Sequence, residues 1–73
     1  MNERIVMDPN IQHGKPTIRG TRVPVARVVG GLAGGMTSAQ IEKAYDVTSE
    51  DVQAALKFAA EPVEREQLHP LSI

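Results

Sequence analysis

Apolar and polar positions along the chain follow two different periods, and the change falls near residue 24. Ahead of it, short apolar pieces alternate with turn residues. Arg4-Ile5-Val6-Met7 reads as a strand, closed by the turn signal Asp8-Pro9-Asn10. His13-Gly14-Lys15-Pro16 punctuates the chain again. Thr17-Ile18-Arg19 and Thr21-Arg22-Val23 are then two extended pieces flanking Gly20. Pro9, Pro16 and Pro24 each remove a backbone donor, so the pieces beside them are edge or hairpin strands rather than central ones.

After Pro24 the helical period takes over, with the proline suited to a first helical turn where its missing N–H costs nothing. Val25, Val28, Val29 and Leu32 follow the i, i+3, i+4, i+7 spacing of one buried stripe. Gly34-Gly35 ends this helix, the first glycine serving as a left-handed cap. Gly30-Gly31 lies inside it, which points to close approach of another backbone. Thr37-Ser38-Ala39-Gln40 fits the S/T-x-x-E/Q capping box and starts a second helix, Ser38–Tyr45. Thr48-Ser49-Glu50-Asp51 is a looser box opening a third, from Ser49 to Glu61, that buries Val52, Ala55, Leu56, Phe58 and Ala59 and stops at Pro62. Only Asp46-Val47-Thr48 joins the last two helices, so they must cross, at the spacing of a helix-turn-helix. The fold class is therefore mainly α with a small β-hairpin region: one domain over residues 1–61, then a flexible tail over 62–73 with Leu68, Leu71 and Ile73 scattered through it.

Composition narrows the function. At 73 residues and 7.9 kDa the chain is too short for a barrel or a complete doubly wound nucleotide fold. A core this small is marginal alone, and a partner or a second copy, as a homodimer, is expected. The absence of cysteine removes a disulfide framework, a thiol nucleophile and a thiolate zinc site. With one Phe, one Tyr and no Trp, the chain lacks a stacking platform for single-stranded nucleic acid. There is no apolar run near the ~20 residues of a membrane span, and Met1-Asn2-Glu3-Arg4 lacks the core of a signal peptide, so the expected compartment is the cytoplasm.

The net charge of −1 hides an uneven distribution. Residues 1–36 carry five Lys and Arg against two carboxylates, net +3, whereas residues 37–73 carry three against seven, net −4. Such a map presents a basic and an acidic face to complementary partners. Gly14-Lys15-Pro16-Thr17 is not a phosphate-binding loop, because Pro9 stands where the motif needs glycine and Pro16 where it needs Ser or Thr. His13, His69 and Asp8 have no nucleophile or ligand set at a working spacing, so no catalytic residue, metal site or cofactor is assigned. The third helix begins Ser49-Glu50-Asp51-Val52-Gln53, whose carboxylates would repel phosphates. Any nucleic-acid or acidic-partner contact therefore falls to Lys15, Arg19, Arg22 and Arg27, with DNA held through its phosphates.

Asp8-Pro9, then Gly14-Lys15-Pro16-Thr17-Ile18-Arg19-Gly20-Thr21-Arg22-Val23-Pro24-Val25, resembles one family closely. It is similar to the small bacterial and archaeal family catalogued as domain of unknown function 433, an antitoxin-like group. Leu32-Ala33, Gly35-Met36-Thr37, Ile41, Tyr45 and Thr48 to Leu56 agree with it, so the likeness covers about residues 4–60. The resemblance implies a homeodomain-like or winged-helix-like three-helix unit behind the hairpin. It also implies the antitoxin half of a type II toxin–antitoxin pair, with a PIN-like ribonuclease toxin as partner and no enzymatic activity of its own. A PIN-type site holds a hard divalent metal on clustered carboxylates, which an Arg or a docked apolar segment can block. Arg65 with Leu68 and Leu71 in the tail is one candidate plug; the basic hairpin is the other. A DNA-binding regulator without a toxin and a dimeric adaptor are the alternatives.

Overall fold

The computed structural model describes the backbone of residues 3–67 and the side chains of residues 3–62. Two short strands, β1 (Ile5–Val6) and β2 (Thr17–Ile18), pair antiparallel with Ile5 opposite Ile18 and Val6 opposite Thr17. Behind β2 the chain turns tightly: the Thr21 N–H donates to the Ile18 carbonyl at 3.0 Å, and Gly20 takes a φ of +79° that a side chain would oppose. The returning piece lies beside β2, where the Ile18 N–H reaches the Val23 carbonyl at 2.9 Å and Thr17 bridges to Pro24. Between the strands, Asp8 accepts from the Asn10 N–H, and a 3-10 turn (Gln12–Gly14) holds Gln12 and His13 at positive φ.

Three helices follow: α1 (Val25–Ala33), α2 (Ser38–Tyr45) and α3 (Ser49–Gln67). Both ends of α1 and α2 and the start of α3 have local causes. Pro24 is the N-cap of α1, one residue before the first turn that its sequence suggests. At the other end the Met36 N–H donates to the Gly31 carbonyl and the Gly35 N–H to the Leu32 carbonyl, the Schellman pattern. Its left-handed residue is Gly35, at φ +102°, and not Gly34, at φ −82°. Thr37 and Gln40 form the full capping box of α2. That helix ends on Asp46 in the left-handed region, with the Val47 N–H donating back to the Glu42 carbonyl at 3.1 Å. For α3, the Thr48 hydroxyl accepts from the Asp51 N–H while the Asp51 carboxylate accepts from the Thr48 N–H, both at 3.1 Å.

The core joins Ile5 and Ile18 of the hairpin to Val25 and Val28 of α1, Ile41 of α2, Val47 of the turn, and Val52, Ala54 and Ala55 of α3. The mainly helical architecture with a two-stranded sheet is thus as the pattern predicts. Three details differ. Leu56, expected inside, is 42% exposed, and Ala54 is buried in its place. The glycine pair in α1 does not meet another backbone: a Cβ on Gly31 would lie 2.5 Å from Ile41 Cδ1 and 3.2 Å from Met36 Sδ, while Gly30 faces open space. And α3 does not stop at Pro62 but carries it inside, running to Gln67. Residues 62–67 of the expected tail are therefore helical, and residues 68–73 lie outside the described residues.

Candidate protein-binding surface

The four cations singled out in the sequence are all exposed, but they occupy different elements. Lys15 follows the 3-10 turn, Arg19 begins the tight turn after β2, Arg22 lies on the returning piece and Arg27 sits on α1. The Arg19 Nε–H donates to the Glu3 carbonyl at 2.6 Å, a bond that orients the guanidinium without neutralising it. The Arg22 carbonyl accepts from Gln12 Nε2 at 3.2 Å, pinning the 3-10 turn against the return strand. Among the described residues none of the four is paired with a carboxylate. Arg4 differs: its Nη1 lies 3.0 Å from Asp51 Oδ1, tying β1 to the start of α3.

Lys15 and Arg19 fall in two separate concavities. Arg19 joins Glu3 and Arg4 in a shallow cleft. Lys15 borders an open groove of about 460 Å³ whose walls are otherwise apolar, formed by Pro16, Pro24, Val25 and Val29 on one side and by Phe58 and Ala59 on the other. Ala26 and Gly30 complete its α1 edge. No single residue of the sequence marks this groove. Its signal is α1 itself, in which Arg27 is the only charged residue of nine, so the exposed face is mostly small and apolar.

The acidic half presents a different surface. Glu50 and Glu61 of α3, with Glu3, Arg4, Gln53, Ala54 and Lys57, line a cleft beside the β1 end of the hairpin. The Glu50 carboxyl is held below its ordinary range by its own backbone N–H and by the Ser49 hydroxyl. Partial burial pushes the Asp51 carboxyl up, but the Thr48 N–H and the Arg4 guanidinium outweigh it and hold that group low as well. Both are therefore ionised at neutral pH. They suit the positive end of the α3 dipole and are placed badly for DNA phosphates.

His13 is exposed, and the Asp8 carboxylate is engaged in its turn. Among the described residues no three His, Cys, Asp or Glu groups converge as a metal site. No helix among them is long and apolar enough to cross a membrane. Of the tail candidates, Arg65 belongs to α3, but its side chain, together with Leu68 and Leu71, lies outside the described residues.

A family model described as "Protein of unknown function (DUF433)" matches residues 5–59. No curated protein matches the chain. Among solved structures, the X-ray crystal structure of Rv2018 from Mycobacterium tuberculosis is similar, at 36% identity and a TM-score of 0.66 over 71% of this chain. The chain spans about a quarter of the length of that protein, 24%.

Proposed function

The chain belongs to the family of proteins of unknown function designated DUF433, and from that premise we propose that it is a non-enzymatic, antitoxin-like protein that binds and neutralises a PIN-like ribonuclease toxin. The observation that carries this reading is the set of exposed cations, Lys15, Arg19, Arg22 and Arg27, which no described carboxylate compensates. A toxin whose active site clusters carboxylates around a divalent metal offers the matching charge, and an Arg set against those carboxylates forms strong bidentate bonds. The hairpin supplies such groups on a scaffold stiffened by the Arg19–Glu3 and Gln12–Arg22 bonds. Arg65 with Leu68 and Leu71 is the second candidate for the blocking element.

The test is co-expression with a PIN-like ribonuclease encoded beside this protein, followed by co-purification and an RNA-cleavage assay. A stable complex with suppressed cleavage is the expected outcome. Failure to co-purify at low salt, with cleavage undiminished by excess of this protein, overturns the reading.

The three-residue turn between α2 and α3 supports a second reading, a helix-turn-helix regulator of transcription. Glu50 and Asp51 keep the N-terminal end of α3 from phosphates, so DNA would be held by the hairpin. An electrophoretic shift titrated across salt concentrations distinguishes this: replacing Arg19 and Arg22 by Ala should lower the log–log salt slope by about two. No shift at low salt rules it out.

A further inference from the structure

No described residue covers the groove between α1 and α3, and three observations bear on its occupant. Its lining contains one charged residue among the described residues, Lys15. The neighbouring cation is Arg27, exposed on α1 and next in helical position to Ala26 and Gly30. Both lack a described carboxylate partner. Among the described residues the charge at and beside the groove is thus basic and the floor apolar, which selects an apolar segment flanked by carboxylates.

The second observation is on α1. Ala26, Gly30 and Ala33 are exposed and, at spacings of four and three, share one face. Gly30 has ordinary helical backbone and open space where a Cβ would stand, so nothing inside the monomer calls for glycine there. A surface of such small residues lets a second helix lie close.

The third concerns the chain's own composition. Beyond the groove residues Phe58 and Ala59, α3 continues for roughly 12 Å, eight residues at helical rise, to Gln67. Its sequence there, Pro62-Val63-Glu64-Arg65-Glu66-Gln67, sets two carboxylates against one Arg, and Leu68 follows. We infer that the groove is a self-association surface, and that the acidic end of α3 from a second copy lies in it, reciprocally. A two-fold pairing then places each basic groove against the other copy's acidic helix end, as an isologous interface requires. Packing two α1 faces directly on each other would instead bring Lys15 and Arg27 near their own copies, like charge against like.

Sedimentation velocity on the full chain tests this. The wild type should be a dimer at about 100 μM and low salt, with its dissociation constant rising at least about tenfold toward 0.5 M salt. A groove variant, Lys15→Glu with Arg27→Glu, and a helix-end variant, Glu64→Lys with Glu66→Lys, should each run as monomers while keeping the wild-type circular dichroism. Mixing the two variants should restore a dimer, because each reversed groove then meets a reversed helix end. A monomeric wild type overturns the proposal. So does a dimer indifferent to the Glu64 and Glu66 reversal, which would mean α1-to-α1 packing or another surface. A dimer lost on deleting residues 68–73 but untouched by every charge reversal overturns it in favour of that segment as the occupant.

Discussion

At the head of α3 one carboxylate serves two bonds: Asp51 accepts from the Thr48 N–H and from Arg4. The first is a cap, worth about 1 kcal/mol. The second is an ion pair with an Arg side chain half exposed to water, worth a few tenths to about 1 kcal/mol after screening. Asp51→Ala should therefore lower the unfolding free energy in urea by about 1–2 kcal/mol. Asp51→Asn, which can still accept from Thr48, should lose less. The sign with pH follows from the low folded pKa. The stabilisation is full above the unfolded value of 3.8 and disappears as pH falls through the lower folded value. The gap between wild type and Asp51→Asn should accordingly close below about pH 4. The adjacent glycines of α1 make a sharper pair. Gly30→Ala meets open space within the monomer and should raise the stability of the monomer by about 1 kcal/mol through helix propensity alone. Gly31→Ala places its Cβ 2.5 Å from Ile41 Cδ1, so the end of the fully buried Ile41 side chain must shift within the core to admit it. A net loss of about 1–2 kcal/mol is expected there, read by thermal or urea unfolding.

Among the elements, α3 is the one whose extent contradicts a local rule. Pro62 lacks the N–H that would reach the Phe58 carbonyl, yet the helix passes through it to Gln67. Pro62→Ala supplies that donor and removes the ring, and should raise both helicity at 222 nm and stability, by about 1–3 kcal/mol. No change in either would mean that the helix gains nothing from continuity at this point. The contrast with the other helix ends shows what a sequence can reveal. The α2 start and the Thr48–Asp51 start depend on side chains three residues apart, so both were legible. The α1 stop was legible to within one residue, because two adjacent glycines compete and only the Met36 bond to Gly31 selects Gly35 as the left-handed one. Gly31 itself was not legible: its reason is Ile41, ten residues on, which becomes a neighbour only after α2 folds back. The same holds for Leu56 and Ala54, whose exchange depends on the angle at which α3 meets the hairpin. The cations of the candidate site were readable one by one. The separation of Lys15 and Arg19 into two concavities was not, since it depends on where Pro16 and Phe58 come together.

Across the whole molecule, the Arg4–Asp51 pair joins the basic and acidic halves of the sequence, and Lys15, Arg19, Arg22 and Arg27 stay exposed without a described carboxylate partner. The Debye length is about 8 Å at physiological ionic strength, so exposed cations spread over several elements of a body 42 Å long are felt together by an approaching partner mainly at low salt. This divides the two candidate blocking elements kinetically. Exposed rim charges act on the association rate, whereas an anchor buried in the partner's site acts on dissociation. If the hairpin steers the toxin, the association rate should fall about tenfold between 0.05 and 0.5 M salt, and Arg19→Glu with Arg22→Glu should flatten that dependence. If the chain end is the plug, deleting residues 68–73 together with Arg65→Glu should raise the dissociation rate about a hundredfold while leaving the salt dependence in place. The cut falls after Gln67 so that α3 stays whole. Surface plasmon resonance on the immobilised toxin reads both rates from one titration. An increase in dissociation confined to the hairpin variant would move the plug from the chain end to the β2 turn, with Arg19, already oriented by Glu3, as the inserted side chain.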